Sequence, residues 1–185
     1  HAIKTFYKEN ILPRNIHISS SGGLRYYNNN LYNMVRIGLL IYGYYPNDSL
    51  KDIINLKPSM VLKTNISFLK TIDINETVGY NKNFIANRKT IVATIPFGFA
   101  DGLLTLEVGK PYVIVNGKPA KIIGICMDNM MLDVTEIPDV KLEQEVYIWD
   151  NCNLKIEEIG EWCNGICNYE VISSISERVP RVLKR

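Results

Sequence analysis

The sequence predicts an α/β segment that hands over to a mainly-β domain, and three observations carry the prediction. Residues 1–55 alternate helix, strand, Ser/Gly turn and strand, the rhythm of parallel-sheet units. Beyond residue 56 the texture turns to short apolar strands, the first of them, Ser59 to Lys70, β-branched. Within that second region, Asn116-Gly117 sits between two such runs, the strongest short-range hairpin signal the chain contains.

Taken in order, a helical tail runs from the first residues to near Asn10 and is broken by Pro13. Asn15 to Ser19 reads as a short strand, Ser20-Ser21-Gly22-Gly23 as a turn, and Leu24 to Tyr27 as a short helix. Met34 to Leu39 is an apolar strand with Arg36 embedded in it. Residues 46–56, with Pro46, Asn47 and Asp48, read as a linker or crossing segment. Strands follow at Ser59–Lys70, Thr90–Pro96, Tyr112–Val115, Lys118–Ile125, Met130–Val134 and Val146–Trp149. Ile156 to Cys163 has the spacing of one short amphipathic helix. The domains expected are therefore 1–55 and 56–185. The chain does not begin with Met, and its first residues read as a helix already under way, so a fragment of a longer protein is expected.

Composition narrows the function classes. Hydrophobic residues make up 46% and charged residues 22% of the 185, enough apolar material for a real core. The 21 basic and 19 acidic residues are interspersed, which argues against nucleic acid or an anionic membrane as partner. The longest apolar run, Ile37 to Tyr45, is far shorter than the roughly 20 residues that span a bilayer. Of the four cysteines only Cys163 and Cys167 are close, and the two histidines, His1 and His17, are remote from them. No zinc site is expected; reduced thiols in a cytoplasmic protein are.

Two strand ends could carry chemistry. A charge inside an apolar strand must be paired or functional, because an unpaired buried ion is costly. Arg36 is such a charge: a structural salt bridge is one reading of it, a ligand-facing cation the other. His17 lies in the preceding strand, where a core role competes with a catalytic one. Both lie near the C-terminal ends of adjacent parallel strands, where barrel enzymes gather their chemistry. The Ser20-Ser21-Gly22-Gly23 turn and Gly38-Leu39 offer hydroxyls and N–H groups that suit a phosphate.

The segment Asn33-Met34-Val35-Arg36-Ile37-Gly38-Leu39-Leu40-Ile41-Tyr42-Gly43 resembles one found in bacterial alanine racemases, and His17-Ile18-Ser19-Ser20-Ser21-Gly22-Gly23 is similar to another. Four more resemblances follow in family order: Val78-Gly79-Tyr80, Ile95 to Gly102, Ile125 to Asp128, and Asn168-Tyr169-Glu170 with Arg178-Val179-Pro180-Arg181. The resemblance implies the last strands of a TIM-type (β/α)8 barrel followed by a β-rich domain, together forming the C-terminal half of a pyridoxal 5′-phosphate enzyme. It implies interconversion of L- and D-alanine for peptidoglycan precursors, in a homodimer with shared active sites.

Racemisation removes a proton from one face of the α-carbon and returns it on the other, so two acid/base groups must flank the cofactor. The resemblance makes Tyr80 one of them, Arg36 the cation facing the pyridine nitrogen, and His17 its support. A guanidinium stays charged and accepts no proton, so that nitrogen stays unprotonated. Ser20, Ser21, Gly38, Leu39 and Tyr169 take phosphate-binding positions, and Met127 meets the substrate carboxylate through its backbone, with Asp128 structural. The lysine that would be the second base belongs to an early barrel strand, and nothing here resembles that segment. The N-terminal barrel portion is thus expected outside this chain.

Four departures stand out from the family pattern: Ser20 for an Asn, Phe99 for a Tyr, Gly124 without a following Arg, and Ser176-Glu177 for Ser-Tyr. They touch the substrate channel more than the acid/base pair, and so bear on alanine against serine. Related racemases accept serine, some of them fused to a membrane module; Tyr169 favours alanine by crowding the pocket. A serine racemase, a non-catalytic cofactor-binding scaffold and a plain β-barrel interaction module are the competing readings. Retention of both Arg36 and Tyr80 speaks against the scaffold, and the barrel-like first 55 residues speak against the module.

Overall fold

The computed structural model describes residues 2–26, 32–103 and 110–183, and the chain divides into two compact units, His1–Ser59 and Met60–Arg185. His1 and Tyr27, the end of the short helix read from the sequence, lie outside the described residues. No helix among the described residues is long and apolar enough to cross a membrane.

The first unit opens with helix α1 (Ala2–Lys8), which ends where Asn10 turns left-handed at φ 58°. Two extended segments then run side by side. Asn33 N–H donates to the Ile16 carbonyl (2.9 Å), Arg36 N–H to the Ser19 carbonyl (2.9 Å) and Gly38 N–H to the Ser21 hydroxyl (2.9 Å). The constant offset makes the pair parallel, joined at the Ser20–Arg36 bridge. The sequence predicts an apolar, buried second strand here, yet Met34 is 41% and Val35 49% exposed, and Arg36 is exposed too. A parallel strand is buried only between neighbours and under covering helices, and among the described residues each segment has one neighbour.

The turn read at Ser20–Gly23 is a short 3-10 turn, Ser21–Gly23, and Leu24–Tyr26 of the predicted helix form only a further turn. Residues 46–56 are not a loose linker. Leu50 is fully buried, Tyr45 Oη donates to the Ile54 carbonyl (2.7 Å) and Asn47 caps the Asp48–Leu50 turn through Ser49 N–H (3.0 Å).

The second unit is built on strands β1 (Leu62–Asn65), β2 (Phe68–Ile72), β5 (Thr90–Ile95), β6 (Tyr112–Val115), β7 (Lys118–Ile125), β8 (Met130–Asp133) and β9 (Glu145–Trp149). A separate two-stranded ribbon pairs β3 (Thr77–Val78) with β4 (Phe84–Ile85). The large sheet runs β1-β9-β6-β7-β8-β5-β2 and is antiparallel throughout. Its two end strands are joined by only Ile66 and Ser67. Ile66 N–H still reaches the β9 side at Gln144 O (2.9 Å), whereas Ser67 N–H already reaches β5 at Thr94 O (2.9 Å). One bent segment therefore begins the sheet and ends it, so the single strand predicted over Ser59–Lys70 is split in two by a change of partner.

The hairpin at Asn116-Gly117 forms, with φ of 50° and 71° at the two turn residues, the positive pair that a type I′ turn requires. Ile122, Leu132, Ile148, Trp149, Leu154 and Ile156 fill the interior at under 2% exposure, each such side chain contributing roughly 1.5–3 kcal/mol of burial. Helix α2 (Ile156–Trp162) puts Ile156 and Ile159 into that core, and α3 (Asn168–Ser174) adds Val171.

Candidate functional site

In the first unit the turn after one extended segment meets the end of the other. Ser19 and Ser21 are buried, and the Ser21 hydroxyl accepts from Gly38 N–H. That hydroxyl keeps its own proton to donate. A Cβ added at Gly38 would meet nothing within 4 Å, and the residue has no positive φ. Packing in this unit does not call for glycine there; its missing side chain leaves room beside Ser21. Among the described residues the Leu39 N–H, at the start of the Leu39–Tyr42 turn, has no acceptor. A hydroxyl, a free N–H and open space form a donor set that fits a phosphate.

Arg36 decides between its two readings. Its Nη2 approaches the Ile18 carbonyl at 3.4 Å, and among the described residues no carboxylate lies within ion-pair distance. The guanidinium is thus not a structural salt bridge of this unit. His17 is exposed and makes no hydrogen bond to Arg36 among the described residues. The structure brings Ser20, Ser21, Arg36, Gly38 and Leu39 together; it does not join His17 to that cluster by a hydrogen bond.

In the second unit Tyr80 opens a short 3-10 turn, Tyr80–Lys82, that connects the two ribbon strands. Val78 and Phe84 of the ribbon pack on a cluster of Ile72, Ala86, Val92 and Ile123. Ile123 sits at a register shift between β7 and β8, and Gly124 next to it lies against Val78 and Gly79 of the ribbon. Gly79, at φ 81°, holds a conformation that favours glycine. From this base the Tyr80 ring is 63% exposed, and its hydroxyl has no partner among the described residues.

Met127 lies just past β7, 59% exposed, in the loop between Ile125 and Met130. Its carbonyl accepts from Ala100 N–H (2.8 Å), and Phe99 N–H donates to Cys126 O (3.0 Å). The Met127 N–H has no acceptor among the described residues, which leaves a backbone donor available for a carboxylate.

Tyr169 stands in the first turn of α3, 56% exposed. Cys167, and then Glu170, raise the pKa of its phenol above the ordinary value. Sequence reasoning assigned no role to Arg178. Its Nε meets Asp101 Oδ1 at 2.8 Å and its Nη2 meets Asp128 Oδ1 at 2.7 Å. Asp128, with Asp101 and against the opposing cost of burial, holds the guanidinium above even its usual high pKa. Local sequence marks only Asp101, whose carboxylate three residues after Gly98 can turn back onto the glycine N–H; nothing beside Arg178 in the sequence points to either partner.

The family described as alanine racemase, C-terminal domain, matches residues 59–183. An alanine racemase of Clostridium novyi (strain NT) is 40% identical over 181 residues, covering 95% of this chain and 46% of its own length. The chain thus spans about half the length of the curated relatives it matches. The solved alanine racemase of Clostridium difficile 630 in complex with cycloserine superposes with a TM-score of 0.87 at 31% identity, over 95% of this chain and 47% of that one. The alanine racemase of Bartonella henselae with covalently bound pyridoxal phosphate gives 0.81 at 26%, over 97% and 50%. The chain belongs to the alanine racemase family, and residues 59–183 are its C-terminal domain.

Proposed function

We propose that this chain is the C-terminal portion of a pyridoxal-phosphate-dependent alanine racemase that interconverts L- and D-alanine in the cytoplasm for peptidoglycan precursors. Residues 1–55 contribute the last strands of its (β/α)8 barrel, and residues 56–185 its β-rich domain. The parallel offset of the 16–21 and 33–38 segments supports the barrel assignment.

The observation that carries the reading is Tyr80: a phenol with no partner among the described residues, held out from a ribbon pinned to the core. Packing gives no reason for such a side chain, and proton transfer at an α-carbon does. Pyridoxal phosphate, when bound, supplies the electron withdrawal that acidifies the α-hydrogen. Tyr80 takes or returns that proton on one face, and a lysine outside this chain serves the other. Arg36, free of any described carboxylate, faces the ring nitrogen and keeps it unprotonated, with His17 as its support. Ser20, Ser21, Gly38, Leu39 and Tyr169 hold the phosphate. Met127 N–H receives the substrate carboxylate. Tyr80 and Met127 act on the cofactor of a partner subunit, so the working unit is a two-fold dimer.

The test is enantiomer interconversion by the full-length protein, run separately on alanine and serine. Turnover of alanine well above serine is the expected result. Loss of chirality with neither amino acid would overturn the reading, and preference for serine would move it to the serine branch.

A further inference from the structure

We infer that Arg178 is a positioning residue, whose two-carboxylate clamp sets the Met127 N–H for the substrate carboxylate. The inference rests on the racemase reading above and names a part of the same site.

Two loops must be in register for Met127 to present its backbone. One holds Gly98 to Asp101, the other Cys126 to Asn129. Their backbones are strapped together by Phe99 N–H to Cys126 O (3.0 Å) and Ala100 N–H to Met127 O (2.8 Å). The approach is so close that a Cβ at Gly98 would lie 2.4 Å from Cys126 O and 2.6 Å from Met127 O. The first loop is itself rigid, since Asp101 is buried and its Oδ2 accepts from Gly98 N–H (2.8 Å). Within itself the second loop is tied, among the described residues, by the bond Cys126 N–H to Asn129 O (2.8 Å).

Arg178 closes the arrangement from a third segment. One guanidinium edge holds Asp101 and another nitrogen holds Asp128, the residue immediately after Met127. Ser176 N–H donates to the Asp101 carbonyl (2.8 Å), so the arginine's own segment is anchored to the first loop. The fork thus transmits the position of a buried carboxylate to the residue next to Met127. A lysine has one point charge and cannot span two carboxylates with a fixed planar spacing. A shift of Asp128 that carried the Cys126–Met127 peptide with it would turn the Met127 N–H away from its target, and small misplacements of this kind are costly in oriented sites.

The test compares Arg178→Lys and Asp128→Asn in the full-length holoenzyme. Both should raise the KM for alanine about tenfold while leaving kcat within about twofold. The double variant should do no worse than either alone, because the two changes break one linkage. Thermal protection by added alanine should weaken in parallel, reporting binding without turnover. Asp128 is exposed, so Asp128→Asn leaves the fold intact and guards against a misfolded Arg178 variant. A fall in Tm with KM and alanine protection unchanged in both variants would make the clamp merely structural and overturn the proposal. An unaltered protein that does not racemise alanine would overturn the functional reading and this proposal together.

Discussion

Gly79 and Gly124 meet backbone to backbone: a Cβ on Gly79 would stand 3.4 Å from the Gly124 Cα, with no side chain between them. That contact seats the β3–β4 ribbon on the edge of β7 and fixes where the chain leaves for Tyr80. It also lies three residues before Met127. Tyr80 and the loop that holds Met127 are therefore referenced to the same stretch of strand.

Filling that contact should disturb the site. A Cβ at Gly124 would come within 2.6 Å of Met131 Cε, 3.2 Å of Val78 Cγ1 and 3.4 Å of Gly79 Cα. Met131 can yield, but the larger Gly124→Val must also push the ribbon outward. Overpacking of this kind costs about 1–3 kcal/mol, which urea denaturation should show together with a reduced kcat.

Removing only the Tyr80 hydroxyl should leave the fold untouched, because it is exposed and has no described partner. Tyr80→Phe in the full-length enzyme should lower racemisation by at least about 10²-fold. Absorbance of the bound cofactor and Tm should not change. Unaltered turnover would remove Tyr80 from the acid/base role.

The first unit has its own backbone constraint at Gly43, which sits at φ 78° where a Cβ would fall 1.9 Å from the Lys57 carbonyl oxygen. The atoms it would meet are backbone atoms of Lys57 and Pro58, so the backbone must move. Gly43→Ala should cost more than about 1 kcal/mol, combining a left-handed penalty with a backbone clash. The midpoint of urea unfolding followed by tyrosine fluorescence should report it.

Acid sensitivity should be traceable to the Asp150 loop. One Asp150 oxygen accepts from the N–H groups of Cys152 (2.9 Å), Asn153 (2.7 Å) and Leu154 (3.0 Å), and the other from the Asn153 side chain (2.7 Å). Burial works to raise this carboxyl, but the Asn153 amide and the three N–H groups outweigh it and hold the pKa below its ordinary value. A depressed carboxyl stabilises the folded state above its unfolded pKa of about 3.9, and the contribution is lost as pH falls through the lower folded value. Asp150→Ala should therefore lower stability at neutral pH and make the acid limb of the stability curve shallower below about pH 4. An identical acid limb in the two proteins would rule the loop out.

Much of the fold was legible in local chemistry. The short apolar runs of β5, β8 and β9, the two positive-φ residues at Asn116-Gly117 and the spacing of Ile156 and Ile159 are consequences of backbone geometry over a few residues, so composition and order alone determined those elements and the family motifs they carry. What only the tertiary structure decided was long-range. The handover of one segment from β9 to β5 at Ile66–Ser67, the ribbon seated by Gly79 against Gly124, and the absence of a described carboxylate beside Arg36 each depend on chain segments far apart in sequence. Arg178 is the clearest case. Its partners Asp101 and Asp128 lie 77 and 50 residues away, and no local pattern encodes a contact whose energy exists only once three loops have met.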